Sequence, residues 1–213
     1  GGDLNGLILD LRNNPGGVLG AAVGVSDAFM DQGLVVYTEG RVDDSQLEFS
    51  AKPPDLLQGA PLIVLINEGS ASASEIVAGA LQDSGRALIM GRQSFGKGSV
   101  QTILPMNNKS ALKLTTARYF TPSGRSIQAE GITPDIVIEK LKLEATKSFG
   151  TPIKESQLAG HLENTDAADK KTKSETAKED TQLVERDYEL YEALNMLKGM
   201  NLLRARSGKK PLS

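Results

Sequence analysis

Residues 62–66, Leu-Ile-Val-Leu-Ile, form an unbroken run of branched aliphatic side chains between Pro61 and Asn67. Successive side chains of a strand point to opposite faces, so such a run is satisfied only where both faces are covered. It predicts a buried strand over 61–67. Residues 4–12 (LNGLILDLR) read as a second buried strand. Between them Val18, Ala21, Ala22, Val25 and Phe29 fall at helical spacing over 18–30, and Ile76, Val77, Ala80 and Leu81 do so over 72–84. Further strands are expected at 34–37, 47–49, 87–91, 100–104, 111–120 and 132–138. Strands and helices alternate through residues 4–139, which predicts an α/β layer fold.

The character of the chain changes after about residue 140. Lys, Glu, Asp, Thr, Ser and Ala dominate 141–180, too little apolar surface to offset the entropy of ordering. A helix is expected over 181–203, with Val184, Tyr188, Tyr191, Leu194 and Leu197 on its apolar side, followed by a basic tail. The expected organisation is a core at 1–140, a polar linker at 141–180 and a helical assembly segment at 181–213. The apolar side of 181–203 is expected to pair with a second copy of the chain, giving a homo-oligomer. Folding back onto its own core is the alternative.

Composition removes several classes of function. The 213 residues carry 24 basic and 27 acidic side chains, a net charge of -3, so no nucleic-acid footprint is expected. No apolar run reaches the length of about 18 residues that a membrane span needs. There is no Cys and a single His, His161, set beside a hydrophilic tract. Thiolate metal sites are therefore out, and zinc sites usually need several convergent ligands. A Ser-His-Asp triad is not expected either, so any nucleophile here needs another base.

Three stretches carry chemistry-bearing residue types. Residues 67–75 (NEGSASASE) join the buried strand to a helix, and free N–H groups at a helix start can hold an oxyanion. The same residues 72–75, Ser-Ala-Ser-Glu, match a helix capping box, and nothing local chooses among Ser70, Ser72 and Ser74. Residues 91–99 (GRQSFGKGS) nearly match a phosphate-binding loop, but Gly98 stands where a hydroxyl should hold magnesium and a strand follows instead of a helix. Lys97, between two glycines, reads either as a surface turn or as an amine that neighbours such as Phe95 desolvate into a base. Residues 10–18 (DLRNNPGGV) are a strand-to-helix turn whose Gly16 and Gly17 permit close backbone approach and can offer N–H groups to an oxyanion.

Taken with LILDLRNNPGG, NEGSASASEIVAGALQDSGRA, GRQSFGKGSVQ and ARYFTPSGRSIQAEGITPDI, the chain resembles the carboxyl-terminal processing (tail-specific) serine proteases over about residues 4–139. The resemblance implies a protease core of the crotonase and Clp protease superfamily type, with a C-terminal helical appendage. It implies a Ser-Lys dyad of Ser72 and Lys97, 25 residues apart, with Gln101 supporting the lysine. It implies oxyanion donors from the Ala73 amide and from Gly16 or Gly17, no metal and no organic cofactor. Protein or peptide substrates cut near their C-termini, an adaptor protein, and a bacterial periplasm or cell envelope (the chloroplast lumen as the lesser option) follow from the same resemblance. The family carries a PDZ domain ahead of this region. No such carboxylate-binding loop occurs here and the chain opens Gly1-Gly2-Asp3 without a start methionine or signal, so a C-terminal piece of a larger protease is expected. Two rivals share the fold type: a non-catalytic ligand- or peptide-binding module, and an acyl-CoA enzyme of the crotonase type. Neither has a reason to keep Ser72, Lys97 and Gln101 together.

Overall fold

The computed structural model describes residues 4–41, 46–107, 110–141 and 182–207. His161 and nearly all of the expected linker lie outside the described residues. The chain divides into two compact units, Gly1–Glu139 with Glu192–Ser213, and Lys140–Tyr191.

The first unit holds two four-stranded sheets. One is parallel, in the order β1 (Leu7–Asp10), β4 (Leu62–Ile66), β5 (Leu88–Gly91), β8 (Ile136–Val137). The other is antiparallel, in the order β3 (Leu47–Ala51), β2 (Gly33–Gly40), β7 (Ala111–Phe120), β6 (Ser99–Pro105). All five residues of β4 are fully buried, as their uninterrupted apolar run requires of an inner parallel strand. Burying each such side chain contributes about 1.5–3 kcal/mol relative to leaving it exposed.

Helices α1 (Leu19–Asp27) and α2 (Ala73–Asp83) pack on each other, and α2 also touches β2 of the antiparallel sheet and β5 of the parallel one. Every residue of α2 from Ala73 to Leu81 is buried. Small residues make this enclosure feasible: a Cβ at Gly79 would stand 2.8 Å from the Thr121 methyl. The strand expected over 132–138 is present only as the two residues of β8. Its N-terminal part is held by other means, Ile132 N–H donating to Ser94 Oγ at 2.7 Å and Asp135 Oδ2 accepting the Ile89 N–H at 2.8 Å.

Helix α3 (Tyr188–Arg206) follows a short helical stretch at 182–186. Within the first unit Ala193 and Leu197 are buried, and Arg204 Nη1 donates to the Gly59 carbonyl at 3.1 Å.

Candidate active site

Ser72 is the N-cap of α2 and stands at the turn out of β4, with φ 56° and ψ -115°. A positive φ on a serine is strained, and such strain persists only where its surroundings over-determine it. The arrangement is that of a strand-to-helix elbow, which pushes one side chain out of the sheet. The serines on either side are turned inward. Ser70 Oγ donates to the Leu11 carbonyl at 2.7 Å and accepts the Asn67 N–H at 3.0 Å, while Ser74 Oγ donates to the Asn14 carbonyl at 3.1 Å. Both are buried, and Ser72 alone of the three reaches solvent.

The Asn-Asn-Pro-Gly-Gly turn is sewn onto this elbow. The Asn14 carbonyl accepts the Ala71 N–H at 3.0 Å. Asn13 N–H donates to Asn67 Oδ1 at 2.9 Å, and Asn67 Nδ2 returns a bond to Asn13 Oδ1 at 3.1 Å. Gly16 has φ 89°, and a Cβ there would stand 2.7 Å from the Ala73 nitrogen and 3.1 Å from the Ser72 Cβ. Its own N–H is already committed to Asn14 Oδ1 at 2.9 Å. The Gly17 N–H meets no acceptor among the described residues, and the space around Gly17 is open.

The loop bearing Lys97 is held from two sides. On one side the Glu75 carboxylate, fully buried, accepts the Gly96 N–H (2.6 Å) and the Ser94 hydroxyl (2.6 Å) on Oε1. Its Oε2 accepts the Lys97 N–H at 2.8 Å and the Ser72 N–H at 2.7 Å. On the other side Gln128 Oε1 accepts the Gly98 N–H at 3.2 Å, and a Cβ on Gly98 would stand 2.8 Å from the Ile127 carbonyl carbon. Ser72 and Lys97 thus bond through their backbones to a single oxygen atom. Desolvation of Lys97 by Phe95 is not what the structure offers: Phe95 is 67% exposed and Lys97 is exposed too. Gln101 lies in β6 directly after a register shift between Val100 and Gln101, and is exposed. Bulges of this kind re-aim the side chains beside them.

Glu75 was legible in the sequence only as a cap. The capping-box pattern accounts for one of its four side-chain bonds, and the other three come from residues 94–97. Among the described residues no group of three or more His, Cys, Asp or Glu could hold a metal ion. None of the described helices is long and apolar enough to cross a membrane.

Residues 2–138 match the family described as Peptidase family S41. The chain belongs to that family. The S41 chain is 56% identical over 167 residues to a carboxy-terminal-processing protease of Bartonella bacilliformis, covering 78% of this chain and 38% of that protein. It is 43% identical over 136 residues to a carboxyl-terminal-processing protease of Synechocystis, covering 64% of this chain and 31% of that one. It therefore spans well under half the length of these curated relatives. Among solved structures, a photosystem II D1 C-terminal processing protease superposes with TM-score 0.60 at 41% identity, over 64% of this chain and 35% of that chain. Mature CPAF complexed with lactacystin, at 19% identity and TM-score 0.51, shares the fold. The chain thus has the α/β fold of the S41 peptidases, and the relatives it resembles include C-terminal processing proteases.

Proposed function

We propose that this chain carries the catalytic machinery of an endopeptidase that cuts protein substrates near their C-termini with a Ser-Lys dyad. Ser72 Oγ attacks the scissile carbonyl. Lys97 Nζ takes the hydroxyl proton and returns it to the leaving amine, and water then hydrolyses the acyl-enzyme. Gln101 orients Lys97. The Ala73 N–H, at the open start of α2, and the Gly17 N–H receive the oxyanion, with Gly16 holding the turn in place. The observation that carries this reading is the strained, solvent-reaching Ser72 joined to the Lys97 backbone through one carboxylate oxygen.

The test is hydrolysis of fluorescein-labelled casein by the full-length protein. Ser72→Ala and Lys97→Arg should each lower the rate by about 10³-fold or more, since arginine stays charged and serves as no base. Ser74→Ala should keep most of the activity. Ser70→Ala should lose stability, about 1–3 kcal/mol, because it strips a partner from a buried carbonyl and a buried N–H. Casein cleavage by Ser72→Ala at the wild-type rate would overturn the nucleophile assignment, and no cleavage by the wild type would leave the fold as a binding module for peptides.

Assembly and location belong to the same proposal. Leu197, on the side of the helix expected to pair, is buried within the first unit, and Leu202 and Leu203, 60% and 69% exposed, leave a different apolar surface for a second copy of the chain. A bacterial periplasm or envelope location rests on the family resemblance alone; the relatives named above add only that bacteria carry such proteins.

A further inference from the structure

We infer that Glu75 is a positioning residue for catalysis, setting the distance and mutual orientation of Ser72 and Lys97 through their backbones. The inference rests on the Ser-Lys reading above and extends it to a residue whose local pattern announces only a helix cap.

A cap needs one carboxylate oxygen near one N–H, and an exposed side chain supplies that as well as a buried one. Glu75 instead has no exposure at all. Burying a carboxylate is costly unless its lone pairs are met, and a carboxylate offers about four acceptor sites. Four donors meet them here: the Ser72, Gly96 and Lys97 N–H groups and the Ser94 hydroxyl. Three of the four come from the segment 94–97, which belongs to a different connection of the fold.

The position in the helix suits the charge. Glu75 lies in the first turn of α2, where the helix dipole favours an anion. Because Oε2 accepts from both Ser72 N–H and Lys97 N–H, neither backbone can shift without disturbing the other. Ser94 Oγ also accepts the Ile132 N–H, so the same network ties the lysine loop to the segment entering β8. On its other side the loop lies against residues 127–131, where a Cβ at Gly96 would stand 3.2 Å from the Gly131 nitrogen and one at Gly98 2.8 Å from the Ile127 carbonyl carbon.

Glu75→Gln keeps the shape but turns one acceptor into an NH₂ donor, which would face other donors. With labelled casein and folded, monodisperse full-length protein, kcat should fall by about 10²-fold, the scale of a small misplacement of reacting groups. KM should stay within about twofold, because the substrate-contacting surface is untouched. Glu75→Asp, which keeps the charge but withdraws the oxygens by one methylene, should show the same split. An unchanged kcat per mole of folded enzyme, or a raised KM at constant kcat, would overturn the inference. If neither variant folds, amide hydrogen exchange on the wild type decides. Protected Gly96 and Lys97 amides support the role, and fast exchange of both removes it. Ser72→Ala and Lys97→Arg run beside these variants. If they cleave at the wild-type rate, the dyad itself is wrong; if they are inactive while Glu75→Gln is fully active, the dyad stands and only the positioning role falls.

Discussion

The NPGG turn shows how much depends on one missing methyl group. Either glycine permits a positive φ, yet only Gly16 adopts one, and the other left-handed residue of the segment is Asn13 with φ 56°. Asparagine tolerates that region better than most residues. Gly16→Ala would place a Cβ within 2.7 Å of the Ala73 nitrogen, so the turn must lift off Ser72. Thermal melts should show a loss of about 1–3 kcal/mol from the strained φ, and casein cleavage should drop by about 10²-fold as the turn moves. Gly17→Ala adds a methyl to open space and should melt close to the wild type. Equal melting temperatures for the two variants would contradict this reading of the turn.

Helix α2 acts as a beam with a carboxylate clamp at each end. Glu75 at its start grips the lysine loop. Asp83 at its end grips the turn after β7, accepting the Ser123 N–H at 2.9 Å and a bond from the Arg125 guanidinium. Burial by itself would push the Asp83 carboxyl up. The bonds from Ser123 and Thr121 and the charge of Arg125 together outweigh burial and hold it below its ordinary value. A carboxyl whose pKa is depressed by folding stabilises the fold above its unfolded pKa of about 3.9, and that contribution is lost as pH falls through the lower folded value. Melting temperature should therefore drop from about pH 5 toward about pH 2, and Asp83→Asn should flatten part of that slope. An identical slope in the variant would show that Asp83 is not its source.

At the scale of the whole molecule, α3 has two sides with different fates. Ala193 and Leu197 are buried, and Leu197 lies against Gly6, where an added Cβ would meet its methyl at 2.7 Å. Leu202 and Leu203 face water. Removing the helix would therefore disturb folding as well as assembly. Replacing Leu202 and Leu203 together by Glu separates the two: light scattering should report a smaller particle while the melting temperature holds. An unchanged mass would show that these leucines do not join subunits.

The amino-acid order alone carried the α/β class, the buried strand 61–67, both central helices and the three chemistry-bearing turns. Those are local matters, set by apolar periodicity, by glycine and proline, and by residues that cap helices within one turn of chain. Ser72, Lys97 and Gln101 stand as a set only through what the resemblance to a family implies, not through any contact the order displays. The order left Ser70, Ser72 and Ser74 equal, because which hydroxyl turns inward depends on carbonyls at Leu11 and Asn14, some sixty residues away. It hid Glu75 behind a capping box for the same reason. A carboxylate's near neighbours in sequence are visible, but three of the donors that fill its lone pairs arrive from residues 94–97, and only the packed fold brings them there.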